Sequence, residues 1–218
     1  MPNPILVIGN KAYSSWSLRP WLLMKQAGIG FEEIRLSLYE DGAKQKILQY
    51  SATGKVPVLK DGELTIWDSL AICEYLAEKY PEKRLWPSAT AARACARSIS
   101  AEMHSGFTNL RTQMPMNVRR EIPRRAKTPD EVVAEISRIE AIWNDCRSRF
   151  GSQGSFLFGA FSIADAMYAP VVSRLRTYGV TLAEEAGEYA GAIHALPAMQ
   201  EWIAAAHAET EVNQQYES

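Results

Sequence analysis

The apolar rhythm of this chain changes once, near Pro81–Pro87, and that single change restricts the folds open to it. Before it, short apolar runs alternate with helical stripes. After it, every stripe steps by three or four residues. Ile5-Leu6-Val7-Ile8 reads as a buried strand that stops at Gly9-Asn10. Arg19 to Ala27 reads as a helix, with Pro20 tolerated in the first turn and Gly28 and Gly30 beyond its end. Ile34 to Leu38 alternates as a half-buried strand, and Ala43 to Tyr50 is a short polar helix. Val56-Pro57-Val58-Leu59 and Leu64-Thr65-Ile66-Trp67 flank Asp61-Gly62, a hairpin signal. Asp68 or Ser69 then caps a helix running to about Lys79. The order β-α-β-α-β-β-α over residues 1–80 predicts a small sheet covered by helices. Residues 88–218 read as all helix. There is a long stretch from Ala89 to about Gln113, a clean stripe from Asp130 to Phe150, and a last short helix from Pro197 to His207. Another helix is opened by Ser162, with Asp165 three residues on and Phe161 as a hydrophobic staple. The fold class is therefore α/β followed by all-α, in two domains.

Charge and cysteine content narrow the function. The 24 Lys and Arg against 25 Asp and Glu argue against a dedicated nucleic-acid binder. The balance hides an asymmetry. Arg111, Arg119, Arg120, Arg124, Arg125 and Lys127 face a single acid, Glu121, between residues 111 and 127, whereas residues 177–218 hold seven Glu and no Lys or Arg. In a dimer these opposite patches are expected to approach each other. No apolar run reaches the ~20 residues of a membrane span, and the first residues lack the pattern of a secretory signal. The three cysteines, at 73, 95 and 146, fit neither a disulfide framework nor a zinc site, and reduced thiols in a cytoplasm are expected. The three histidines show no ligand spacing, so no metal is expected.

Three local features carry chemistry. The loop Tyr13-Ser14-Ser15-Trp16-Ser17-Leu18-Arg19 places hydroxyls beside a helix N-terminus, where an anion is favoured. The same serines also read as helix caps. Val56-Pro57 opens a strand, and a cis bond there leaves the Val56 backbone free to pair with an extended peptide. An ordinary edge-strand proline is the alternative. Asp68-Ser69 at a helix start can hold an amino-acid head group, or can simply cap the helix.

Taken in order and spacing, these features resemble the thioredoxin-like N-terminal domain of glutathione transferases. Phe158-Gly159-Ala160-Phe161-Ser162-Ile163-Ala164-Asp165 resembles that family's G-x-x-S/T-x-A-D helix start, a structural element. Ser14-Ser15-Trp16-Ser17-Leu18-Arg19 is similar to the Ser-Ser-Cys-Ser-x-Arg loop of the zeta class, which includes maleylacetoacetate isomerases. Leu36 to Gly42 with Gln45, and Ser69 to Leu76, resemble zeta segments as well. Two departures stand out: Trp16 replaces the zeta Cys, and Ser51-Ala52 replaces Asn-Pro.

The resemblance implies glutathione as co-substrate, no metal, a cytoplasmic homodimer and no membrane or nucleic-acid partner. Glutathione then lies along Val56 and Pro57. Its γ-glutamyl end meets Asp68 and Ser69, its glycyl carboxylate meets Lys44 and Lys55, and its sulfur meets the hydroxyl of Ser14, or of Ser15 if the register is off by one. Tyr13 is read as packing. An apolar electrophile pocket between the domains is expected from Trp16, Met103, His104, Phe107 and Arg111, with Leu110 and Met114 on the same helix. Arg174 and Arg176 lie near the position of a zeta substrate-binding arginine, and surface ion pairing is expected of them. The activity implied is glutathione transfer to small electrophiles. A glutathione-dependent cis–trans isomerase and a non-catalytic glutathione-binding module are the alternatives.

Overall fold

The computed structural model describes residues 3–121 and 128–217. Strands β1 (Ile5–Ile8), β2 (Glu32–Arg35), β3 (Val58–Asp61) and β4 (Leu64–Ile66) form one sheet in the order β2-β1-β3-β4. β1 pairs parallel with β2, Val7 opposite Ile34, and antiparallel with β3, Val7 opposite Val58. A parallel pair needs a crossover, and helix α1 (Ser15–Gln26) supplies it. β2 lies earlier than the alternation of Ile34 to Leu38 suggests. Its four residues are those that face the four of β1, so the partner strand sets its limits. The β3–β4 hairpin turns at Asp61-Gly62, where Gly62 has φ 57°, a left-handed conformation that glycine adopts without a Cβ clash. Helices α2 (Ala43–Leu48) and α3 (Ser69–Lys79) complete a thioredoxin-like unit.

The helical part contains α4 (Thr90–Ser105), α5 (Thr108–Gln113), α6 (Asp130–Phe150), α7 (Ile163–Thr177), α8 (Glu184–His194) and α9 (Pro197–His207). The single stretch expected from Ala89 to Gln113 is two helices. Gly106 is extended and Phe107 left-handed at φ 55°. A Cβ on Gly106 would stand 2.8 Å from the Glu102 carbonyl oxygen, so the break depends on glycine. Every residue of α7 except Arg176 is buried. A helix that is apolar nearly all round belongs at the centre of a fold, and α7 packs against α1, α4 and α8. The contact of α1 with α7 joins the two parts around one continuous core.

Asp165 fastens the start of α7. Its fully buried carboxylate accepts from Leu157 N at 3.1 Å, Ser162 N at 2.8 Å and Ser162 Oγ at 2.9 Å. The spacing of Ser162 and Asp165 anticipates this capping box.

The basic and acidic stretches already meet within one chain. Arg119 Nη1 donates to Glu209 O at 2.9 Å, and Arg120 lies 3.7 Å from the Glu217 carboxylate. Arg176 faces Glu121 at 4.0 Å. The segment following α9 runs back over the first unit and brings these groups together. Arg124, Arg125 and Lys127 lie outside the described residues.

A candidate site at the head of helix α1

Ser14 is the residue before α1, and its hydroxyl caps none of that helix's backbone N–H groups. It donates instead to Ser17 Oγ at 2.7 Å, and Ser17 Oγ also accepts from Gly9 N at 3.1 Å. The first-turn amides are thus left without a side-chain cap, an arrangement suited to a negative charge. Ser15 Oγ accepts from Arg174 Nη2 at 3.1 Å. Tyr13 points the other way: its hydroxyl donates to Glu217 at 2.6 Å and accepts from Asn213 N at 3.1 Å and from Arg119.

Arg174 departs from the surface ion pair expected of it. It is buried in α7 and donates to the carbonyls of Arg111 and Met114 at 3.2 and 2.5 Å. Burial pulls its pKa down to about 10, and the nearby Arg111 charge acts in the same direction. The missed signal was α7 itself, because a charged residue among its apolar neighbours falls inside unless it lies on the one exposed position. Arg176, the one exposed residue of α7, does have the surface position expected.

A second group of residues sits at the start of α3. The Val56-Pro57 and Trp67-Asp68 peptide bonds are both cis. Val56 is half-buried and Pro57 buried, directly before β3. Asp68 caps α3, with Oδ1 accepting from Leu70 N at 3.1 Å and Ala71 N at 3.3 Å. Its other oxygen lies 2.7 Å from His104 Nε2. Burial pulls the His104 pKa below its usual value, against the opposing pull of Asp68. Ser69 is buried, and its Oγ accepts from Arg19 Nη1 at 3.4 Å.

Arg19, quoted in the sequence only as part of a motif, connects the two groups. It is fully buried, its guanidinium lies 3.7 Å from the centre of the Trp16 ring, and Nη1 stands 3.4 Å from His104 Nδ1. Burial holds its pKa well below the usual arginine value. Trp16 also stacks on His104, with ring centres 5.7 Å apart and planes at 26°. Trp16 therefore forms a partition between the Asp68 end and a cleft beyond it.

That cleft has a volume of about 450 Å³ and opens beside Ser15 and Trp16. Arg111 and Thr112 of α5, Arg174 of α7 and Tyr216 form other parts of its wall. The lining mixes apolar surface from Trp16, Pro115 and Tyr216 with hydroxyls and two arginines, where mainly apolar side chains were expected. Met103, on the buried face of α4, and Phe107, Leu110 and Met114, at and beyond the break at Gly106–Phe107, are all buried in the common core. His104 faces Asp68 and Trp16 instead of the cleft wall. Arg111 does reach the cleft, with its guanidinium 5.3 Å from the Trp16 ring centre. Lys44 and Lys55 are exposed beyond β2 and before β3. Among the described residues no group of His, Cys, Asp or Glu is arranged to hold a metal ion. No described helix is long and apolar enough to cross a membrane.

Comparison with known proteins gives a consistent picture. Residues 13–79 match the family model for the glutathione S-transferase N-terminal domain, and residues 126–205 match that for the glutathione S-transferase C-terminal domain. A maleylacetoacetate isomerase from Rattus norvegicus is 30% identical over 184 residues, covering 83% of this chain and 82% of that protein. Glutathione S-transferase omega-1 from the same organism is 27% identical over 206 residues, covering 94% of this chain and 77% of the relative. Among solved structures, a glutathione transferase homolog from Burkholderia with bound glutathione superposes with a TM-score of 0.71 at 22% identity. That match covers 96% of this chain and 100% of the other.

Proposed function

The chain belongs to the glutathione S-transferase family, and from that premise we propose that it activates the thiolate of glutathione for attack on small electrophiles that carry a carboxylate. The tripeptide lies extended along Val56 and Pro57. Its γ-glutamyl ammonium meets Asp68, and its α-carboxylate meets Ser69 and the first turn of α3. Its sulfur sits at the head of α1 beside Ser14. A free thiol has a pKa near ~8.5, and only the thiolate is the nucleophile. A hydroxyl donating to the sulfur and the positive end of α1 both favour the charged form. Lys44 and Lys55 serve the glycyl carboxylate.

The observation that carries the carboxylate is the set of three arginines around Trp16. Among the described residues, the hydrogen-bond partners of Arg19, Arg111 and Arg174 are hydroxyls, carbonyls and a histidine, not carboxylates. Two of the three line the cleft, so its charge is left for an acidic acceptor to neutralise. The same observation favours a second reading, glutathione-dependent cis–trans isomerisation; the rat relative is named an isomerase. There the thiolate adds to a conjugated double bond, the new single bond rotates, and the C–S bond breaks to return the thiolate unchanged.

Arg111→Gln tests the acceptor class, because Arg111 is half-exposed at the cleft and no fold-bearing bond from its side chain is lost. KM for a carboxylate-bearing acceptor should rise about tenfold, while a neutral aromatic halide of similar size changes little. Equal effects on both acceptors would refute the assignment. Loss of glutathione during turnover then separates transfer from isomerisation.

A cytoplasmic homodimer completes the reading. The free thiols Cys73, Cys95 and Cys146 fit a reducing compartment. Leu64 and Trp67, beside Asp68, are about half exposed and offer an apolar surface to a second copy. Sedimentation should return twice the 24.3 kDa of one chain, and a monomer at micromolar concentration would remove this part of the proposal.

A further inference from the structure

The loop that carries Ser14 is gripped from the far end of the sequence. Lys11 N and Ala12 N donate to the two carboxylate oxygens of Glu209, at 2.6 and 3.0 Å. Lys11 O accepts from the Trp202 indole at 2.8 Å. The Glu209 side chain is only 5% exposed, and Arg35 lies 3.6 Å from it. Lys11 and Ala12 are buried, and buried amides must find a partner in the protein or in ordered water. Here the nearly buried Glu209 carboxylate takes both of them, and bonds from amides to a carboxylate are about twice as strong as neutral ones.

The rest of this segment is fastened with equal care. Arg119 donates to the backbone oxygens of Glu209 and Glu211, and Arg35 pairs with the Glu211 carboxylate at 2.8 Å. The Tyr13 hydroxyl, next to Ser14 in the chain, bonds both Asn213 N and Glu217. Asn117 Nδ2 donates to Tyr216 O at 3.0 Å. These anchors deliver the Tyr216 ring to the cleft wall near Ser15, Trp16 and Arg174, edge-on to Tyr13 at 5.7 Å.

We propose that the segment Glu209–Glu217 is a working part of the active site. Glu209 is a positioning residue that holds the Asn10–Ser14 loop so that the Ser14 hydroxyl meets the sulfur. Tyr216 is a wall that selects the acceptor. The inference rests on the assignment of Ser14 and the cleft made above. It predicts two separable effects, because the loop contact and the cleft contact belong to different residues. Displacing a reacting group by ~1 Å can cost up to ~100-fold in rate, so a loosened loop should be visible in kinetics.

The test compares the full-length parent with Glu209→Gln and Tyr216→Ala. Glutamine keeps the shape but turns an NH2 group toward one of the loop amides. Amide hydrogen exchange at Lys11 and Ala12 should speed up at least tenfold in Glu209→Gln. The kinetic pKa of glutathione should rise, and kcat/KM should fall about tenfold with every acceptor. In Tyr216→Ala, Asn117 still holds the backbone at position 216. That variant should keep the parental pKa and glutathione KM, while KM values for small and bulky acceptors diverge severalfold from their parental ratio. Unchanged exchange in Glu209→Gln would overturn the grip, whatever the activity. Faster exchange or a lower melting temperature with an unmoved kinetic pKa would make Glu209 merely structural and overturn its positioning role. An unaltered acceptor ratio in Tyr216→Ala would remove Tyr216 from specificity. A parent enzyme that fails to ionise bound glutathione would count against the Ser14 assignment instead, and the parent alone reveals it.

Discussion

Ser14→Ala is expected to move the kinetic pKa of glutathione conjugation up toward the ~8.5 of a free thiol and to lower kcat/KM at neutral pH by about ten- to a hundredfold, ~1.4–2.7 kcal/mol. The substitution removes one oxygen from a buried position whose side-chain partner among the described residues is Ser17 Oγ. Little folding energy is therefore at stake, and the melting temperature should stay close to the parent's. The effect comes from the ionised sulfur losing a donor, so the loss should shrink above the pKa of the free thiol, where thiolate forms unaided. Ser15→Ala is the decisive companion. Ser15 Oγ is an acceptor for the buried Arg174, so its loss leaves a guanidinium short of a partner and should affect acceptor binding more than the pKa. A pH–rate profile that is unmoved in Ser14→Ala and shifted in Ser15→Ala would transfer the donor role to Ser15.

Asp165→Ala should cause the largest loss of stability, about 3–5 kcal/mol, from three donors left buried without an acceptor. For a chain of this size that corresponds to a fall in Tm of roughly 10 °C. Asp165→Asn should fall between the two, since it keeps one carbonyl oxygen for the Ser162 or Leu157 amide. The pH dependence has a definite sign. Burial raises the Asp165 pKa from 3.8 to about 6, against the hydrogen bonds that lower it. A raised carboxyl contributes its full share of stability below pH 3.8 and loses it as the pH rises through 6. Asp165→Asn should abolish that component, which appears as a difference in slope between the two proteins from pH 4 to pH 7. A Tm for Asp165→Ala within 2 °C of the parent would show that α7 does not depend on this cap.

How far the sequence reaches is seen by setting Asp165 beside Arg174. Both are charged residues on the same buried helix. Asp165 stands three residues from the Ser162 it serves, and the local pattern announces it. Arg174 meets Ser15, 159 positions away, and no short-range pattern marks that pairing. The acceptor cleft behaves similarly. Met103, Phe107 and Met114 carry the right chemistry for an apolar pocket. Met103 packs into the core from α4, Phe107 and Met114 do so after the turn at Gly106–Phe107, and Arg111 is left at the opening.

The sequence by itself determined whatever depends on neighbours within about one turn. These features include the hairpin at Asp61-Gly62, the start of α7 at Ser162 and Asp165, the stripe of Asp130–Phe150, and the passage from mixed α/β to all helix. Propensity, capping and periodicity act over such distances and leave their mark in the order of residues. Only the tertiary structure decided that Arg174 supports Ser15, that His104 meets Asp68, that Glu209 holds the amides of Lys11 and Ala12, and that Tyr216 completes the cleft wall. Those partners are separated by 36 to 201 positions in the chain. They meet because α1 and α7 share one core and because the segment after α9 returns across the first unit.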